Sequence, residues 1–242
     1  MLAIGVPTIL AALWFAWRYR ASNTRAGYFP DWDYSGQLEL VVWSIPTFVI
    51  LFLGGVIWIG SHDLDPARPL KSTQPPLELQ VVSLDWKWLF IYPGQGIATL
   101  NQLVVPAGRP LHLSLTSSSV MNVFFVPRLG SMIYTMNGVR TELHLQADQT
   151  GDFHGQSAQF SGDGFSDMKF VVHAVAAPAF ESWVANVRGR GATLDVPRYS
   201  KLLRPAIEPA PVSFGAVDGQ LFQAVLTQQL PQAPGPNNRE TR

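Results

Sequence analysis

Two stretches near the N-terminus hold no ionisable side chain. Met1 to Trp17 (MLAIGVPTILAALWFAW) is followed at once by Arg18, Tyr19 and Arg20, and Leu40 to Gly60 (LVVWSIPTFVILFLGGVIWIG) is the second run. At ~1.5 Å rise per residue the second reaches roughly 32 Å, enough for a hydrocarbon core of ~30 Å, and the first only roughly 26 Å. A secretory signal places its positive charge before the apolar stretch; here the arginines come after it, so the pattern predicts a membrane span. Two buried helices of a soluble core are the plainer alternative, but soluble helices seldom carry uncharged runs of this length. Arg18, Arg20 and Arg25 in the connector 18–39 place it on the cytoplasmic side. The prediction is a two-helix transmembrane hairpin over residues 1–60, spans about 1–17 and 40–60, with both ends outside. Trp14, Trp17, Tyr19, Trp43 and Trp58 lie near the span ends, where aromatic rings favour the interface. Pro46, inside the second run, frees a backbone carbonyl.

Residues 61–76 (SHDLDPARPLKSTQPP) are polar and proline-rich, the composition of a linker. Beyond it, Leu77 to Val82, Leu111 to Leu115, Val139 to Leu145 and Met168 to Val175 alternate with period two. Turn residues stand at Pro106, Ala107 and Gly108 and at Gly162, Asp163 and Gly164. Short strands at this spacing predict an all-β domain, a sandwich or barrel, over 77–176. After Ala177 the period changes: Phe180, Trp183, Val184 and Val187 fall at helical spacing behind Pro178, with Gly189 and Gly191 to end the helix. A helical, aromatic-rich segment is therefore expected over 177–230, and the tail 231–242 (PQAPGPNNRETR) is expected to be disordered.

Composition narrows the chemistry. The 242 residues balance 17 Lys and Arg against 17 Asp and Glu, so there is no electrostatic footprint for nucleic acid. The absence of cysteine removes disulfides, thiol nucleophiles, iron–sulfur clusters and thiolate copper or zinc sites. Charged residues make up only 14% of the chain, low for a soluble protein and consistent with the spans. His62, His112, His144, His154 and His173 show no metal-ligand spacing, and Ser, His and Asp occur without a nucleophile-elbow motif.

At Ser83 to Pro93 the run SLDWKWLFIYP resembles subunit II of the haem-copper terminal oxidases, the quinol-oxidising cytochrome bo type in particular. YFPDWDYSGQLELVVWSIP, SSSVMNVFFVPRLGSMIYTMNG, GQSAQFSGDGFSDMKF and PVSFGAVDGQLFQAVL carry the same resemblance, which runs from about residue 1 to about residue 230. It implies a membrane-anchored all-β chain: the hairpin, a cupredoxin-like Greek-key β-sandwich and a helical C-terminal tail. It also implies a place in a proton-pumping ubiquinol oxidase of the bacterial inner membrane, with the β-domain periplasmic. The expected partners are subunit I, which holds the haems and copper, subunits III and IV, the bilayer, and ubiquinol through the complex. A membrane-tethered β-domain acting as a stand-alone binding or assembly module is the alternative.

One branch of the family holds a dinuclear copper centre through two Cys, two His, a Met and a Glu carbonyl. Carried over by position, the first His falls on Asn122, the Cys on Ser157 and Ser161, the Glu on Gln159 and the second His on Phe165; Met168 alone is retained. The resemblance thus implies a chain that binds no cofactor itself. Trp86 and Trp88 lie where copper-bearing relatives place aromatics near the metal, and are expected to pack against the catalytic subunit. Glu39, in QLELVVW, falls on the family glutamate at the entrance of the K-type proton pathway, although a carboxylate there also suits a helix start. Members of this branch usually carry an upstream lipid-modified Cys and a longer first span; the sequence departs from them in both, so either its start lies further upstream or it lacks the anchor.

Overall fold

The structure is a computed structural model that describes residues 2–27, 29, 31–205 and 210–235. The chain divides after Gly60 into two compact units.

The first unit is built on helices α1 (Leu2–Arg18) and α2 (Gly36–Asp63). Neither buries any residue within the chain, so their apolar side chains face outward. Hydroxyls inside the helices are satisfied by the preceding turn: Thr8 donates to the Ile4 carbonyl at 2.7 Å, Ser44 to Leu40 at 2.5 Å and Thr47 to Trp43 at 2.7 Å. Pro46 removes the N–H that would meet the Val42 carbonyl. Among the described residues α2 is the one helix long and apolar enough to cross a membrane. It starts four residues before the expected span and runs three residues into the expected linker. With 17 residues, α1 is shorter.

The second unit is a two-sheet sandwich. Its strands are β1 (Leu77–Leu84), β2 (Lys87–Tyr92), β3 (Ile97–Leu100), β4 (Gln102–Pro106), β5 (Pro110–Ser117), β6 (Asn122–Phe125), β7 (Ile133–Thr135), β8 (Thr141–Gln146), β9 (Gly151–Ser157) and β10 (Lys169–Val175). After these come α3 (Ala177–Arg190), β11 (Ala192–Leu194), α4 (Val196–Leu202), β12 (Val212–Val217) and α5 (Leu221–Leu226). One sheet has the order β11-β12-β3-β2-β1-β5-β8, the other β4-β10-β9-β6-β7. Parallel pairing of β1 with β5, of β4 with β10 and of β11 with β12, among otherwise antiparallel neighbours, gives the expected Greek-key sandwich. Tyr92 fastens the sheets together: its hydroxyl donates to the Val104 carbonyl at 3.0 Å and accepts from the Val104 N–H at 2.8 Å.

Alternation along β1 and β2 serves two cores. Leu79, Val81, Trp88, Phe90 and Tyr92 point between the sheets, while Val82, Leu84, Leu89 and Ile91 point to the opposite face, against Leu194, Tyr199, Phe214, Leu221, Phe222 and Val225. The segment after Ala177 serves both cores: Phe180, Val184 and Val187 of α3 join the one between the sheets, and residues from Leu194 onward close the outer face of the larger sheet. It holds the expected helices and also β11 and β12, which its pattern did not announce. The start of the tail is not disordered as expected: Ala233 is buried and its N–H donates to the Ser118 carbonyl at 2.9 Å. Residues 236–242 of that tail lie outside the described residues. The linker is pinned too, with Pro66 accepting from the His144 N–H and Arg109 donating to the carbonyls of Pro75 and Pro76.

Candidate functional site

The positions that the resemblance sets against copper ligands lie at one end of the sandwich, at strand ends and in the loops beside them. Asn122 opens β6 and Ser157 closes β9; the Ser157 hydroxyl donates to Asn122 Oδ1 at 3.2 Å and also lies 3.3 Å from the Gln159 carbonyl. Asn122 Nδ2 donates to Val120 at 3.3 Å, and the Ser157 N–H donates to the Met168 carbonyl at 3.1 Å. Asn122, Ser157, Ser161 and Met168 are all buried. The Met168 side chain belongs to the core between the sheets. Phe165, half-buried, sets its ring edge-on to exposed Phe160 at 5.8 Å. The Ser161 hydroxyl has no hydrogen-bond partner among the described residues.

Trp86 covers this end. It takes φ 65°, a left-handed conformation rare for a bulky side chain, and its indole N–H donates to the Ser161 carbonyl at 3.2 Å. A Cβ on Gly164 would stand 2.4 Å from the Trp86 ring, so the glycine is what lets the indole lie there. Trp88 corrects an expectation: it is fully buried, edge-on to Phe124 at 5.4 Å and Phe170 at 5.7 Å, and has no surface to offer another subunit. Its aromatic density marks the sandwich core.

Glu39 stands in the first unit, exposed in the first turn of α2, its N–H bonded to the Ser35 carbonyl at 2.9 Å. With Tyr34, Gly36, Trp43, Ser44 and Thr47 it lines a shallow cavity of about 440 Å³. Ser44 and Thr47 bring two hydroxyls to the same cavity, each bonded to a carbonyl of the preceding turn.

Sequence spacing missed a second cluster, because its members meet only through strand register. His112 and His144 stand directly opposite on β5 and β8, their rings 4.6 Å apart and 4° from parallel. His112 Nδ1 is 2.7 Å from Glu78 Oε2, and its Nε2 is 3.8 Å from Glu142. Burial, and then the neighbouring His112, lower the affinity of His144 for its proton below that of an ordinary histidine. Among the described residues no group of three or more His, Asp or Glu side chains could hold a metal ion.

Residues 83–175 match the family described as "Cytochrome C oxidase subunit II, periplasmic domain". This and the two-sheet topology define the class, the cupredoxin-like second subunits of haem-copper oxidases. Over 228 residues, 94% of the chain and 69% of the relative, it is 48% identical to cytochrome bo(3) ubiquinol oxidase subunit 2 of Pseudomonas aeruginosa. Ubiquinol oxidase subunit 2 of Acetobacter aceti is 48% identical over 94% of this chain and 75% of that one. The Pseudomonas putida relative is 45% identical over 93% and 72%. The chain belongs to the ubiquinol oxidase subunit 2 family, and is thus a subunit of an oxidoreductase complex.

Proposed function

We propose that the chain is a copper-free subunit II of a proton-pumping ubiquinol:oxygen oxidoreductase, capping and stabilising a haem-bearing subunit I, with subunits III and IV as further neighbours. The β-domain faces the periplasm and the helices anchor it in the cytoplasmic membrane. The observation that carries the copper-free reading is the donor set at the aligned positions. Copper centres are built from thiolate, imidazole and thioether ligands. Here the side chains at those positions are two hydroxyls, two carboxamides and a phenyl ring, and the Ser157 hydroxyl is already bonded to Asn122. Met168, the one soft donor, is turned into the apolar core. Such a set does not fit copper, and electrons from quinol need no relay through this domain. Purification from membranes tests both statements. Haem should co-purify with the chain, and the β-domain should contribute no mixed-valence copper signal in electron paramagnetic resonance. A haem-free, stable monomer would support the stand-alone module instead.

Glu39 serves, in this reading, as a proton collector at the inner end of α2. A carboxylate exchanges protons rapidly with the water of the connector, whereas a carboxamide does not. Ser44 and Thr47, which line the same cavity, add hydroxyls beside it. Glu39→Gln preserves shape and hydrogen bonding, so assembly and haem content should stay unchanged while quinol oxidation slows. A tenfold loss corresponds to only about 1.4 kcal/mol in the limiting barrier, and Glu39→Asp should retain much more activity. Wild-type turnover of the Gln variant across the pH range would reduce Glu39 to a helix-start charge.

A further inference from the structure

We infer that Asp85 and the C-terminal segment it captures form a knot that holds the loops around Asn122, Ser157 and Ser161 in one arrangement. Asp85 sits in the turn between β1 and β2 and is only 3% exposed. A buried carboxylate persists only where its oxygens are hydrogen-bonded. One oxygen of Asp85 accepts from the Ser119 hydroxyl at 2.5 Å; the other accepts at 2.9 Å from the N–H of Gly235, 150 residues along the chain. Gly235 takes φ 75°, where a side chain is strained.

The residues just before Gly235 are held as well. Ala233 donates to Ser118 and is buried in the outer core, and Gln232 accepts from Asn137 Nδ2 at 2.9 Å. A segment of composition PQAPG has too little apolar surface to order itself. Its order comes from these partners.

Asp85 thereby joins three parts of the chain. Ser119 belongs to the loop that leads into Asn122. Trp86, next in sequence, reaches Ser161 and lies over Gly164 in the loop between β9 and β10. The strap formed by 231–235 closes the knot from outside. The inference rests on the copper-free reading, because a bound metal would fix the same loops through its own ligands.

Amide hydrogen exchange on the full chain in its detergent-solubilised complex tests it. Asp85→Ala removes both acceptors, and a chain shortened to end at Leu230 removes the strap while leaving Asp85 in place. Each should raise exchange across 117–122 and 158–168 about tenfold while the amides of 77–82 and 111–115 keep their protection. Asp85→Asn, which retains one acceptor oxygen, should fall between. If Asp85→Ala does not fold, the shortened chain decides. Unchanged loop exchange in the shortened chain overturns the inference. So does loss of protection throughout the sandwich, which would make the strap part of global stability and not a local knot. Copper measured on the same wild-type sample separates the two readings. Stoichiometric copper removes the copper-free reading and this inference with it, whereas a copper-free sample with unchanged loops removes this inference alone.

Discussion

His144 shows how one side chain gains its chemistry from strand register. It lies parallel to His112, beside Glu142 and Glu78, and its backbone N–H holds the linker at Pro66. Burial opposes its protonation, and so does the neighbouring imidazole; the two glutamates only partly offset them. The folded protein therefore binds this proton less tightly than the unfolded chain, whose histidine titrates near 6.5. Above that pH both states are neutral here and nothing is lost. As pH falls below it the unfolded state takes up the proton first, and stability drops until the folded pKa is passed. The thermal midpoint of the protein should accordingly fall between about pH 7 and pH 5, and fall less in His144→Gln, which has the hydrogen-bonding capacity without the titration. An identical pH dependence in both proteins would assign the effect to other groups. None of this was legible in the sequence, where His112 and His144 are 32 positions apart and share no motif; only pairing of β5 with β8 sets them face to face. Gly155 is a parallel case. A Cβ there would stand 2.1 Å from the Phe170 ring, so a residue that reads as an ordinary strand glycine is what admits the stacked aromatics Phe124 and Phe170.

At the scale of elements, legibility followed hydrophobic period. β1, β5, β8 and β10 alternate plainly and were expected within a few residues of their places. The helix α3 announced itself through Phe180, Val184 and Val187, all three buried. β2 is different: every residue of KWLFIY is buried, because both faces of the strand are covered. A strand buried on both faces loses its alternation, so nothing in its own pattern marks Trp88, expected to pack against the catalytic subunit, as a core residue. Trp88 instead fills the inner core. The cover on the outer face comes from Leu194 onward, where β11 has only three residues and β12 (VSFGAV) sets Gly215 and Ala216 where a clear alternation would need larger side chains. They exist because they add to the edge of a sheet already formed, with Val212, Ser213 and Phe214 of β12 set against β3. Tertiary context thus supplied what local propensity lacked. The same holds for the strap at 231–235, polar enough to read as disordered and ordered only by Asp85 and Ser118.

At the scale of the whole molecule, the open physical question is how many times the first unit crosses the bilayer. α2 has 28 residues, about 42 Å at ~1.5 Å each, and spans a ~30 Å core with turns to spare. The 17 residues of α1 reach roughly 26 Å, with Arg18 and Arg20 placed to reach toward an interface. Its side chains favour spanning: residues 2–17 carry no charged side chain, and guanidinium groups lie over the Trp14 and Trp17 rings at 5.7 and 5.0 Å, the arrangement of an interface. An amphipathic helix lying flat on the membrane would need a polar face, and between Leu2 and Trp17 the only hydroxyl, that of Thr8, is bonded to its own backbone. The hairpin is therefore the proposed topology, and the cysteine-free chain lends itself to the test. Single cysteines at Ala3, Ala26 and Thr150 in intact cells separate the possibilities with a membrane-impermeant thiol reagent. For a hairpin, Ala3→Cys and Thr150→Cys should be labelled from outside and Ala26→Cys only after the membrane is opened. If only Thr150→Cys is labelled from outside, α2 spans alone and α1 stays on the inner side. If Ala26→Cys is labelled while Thr150→Cys is not, the positive-inside orientation itself is wrong and the β-domain faces the cytoplasm.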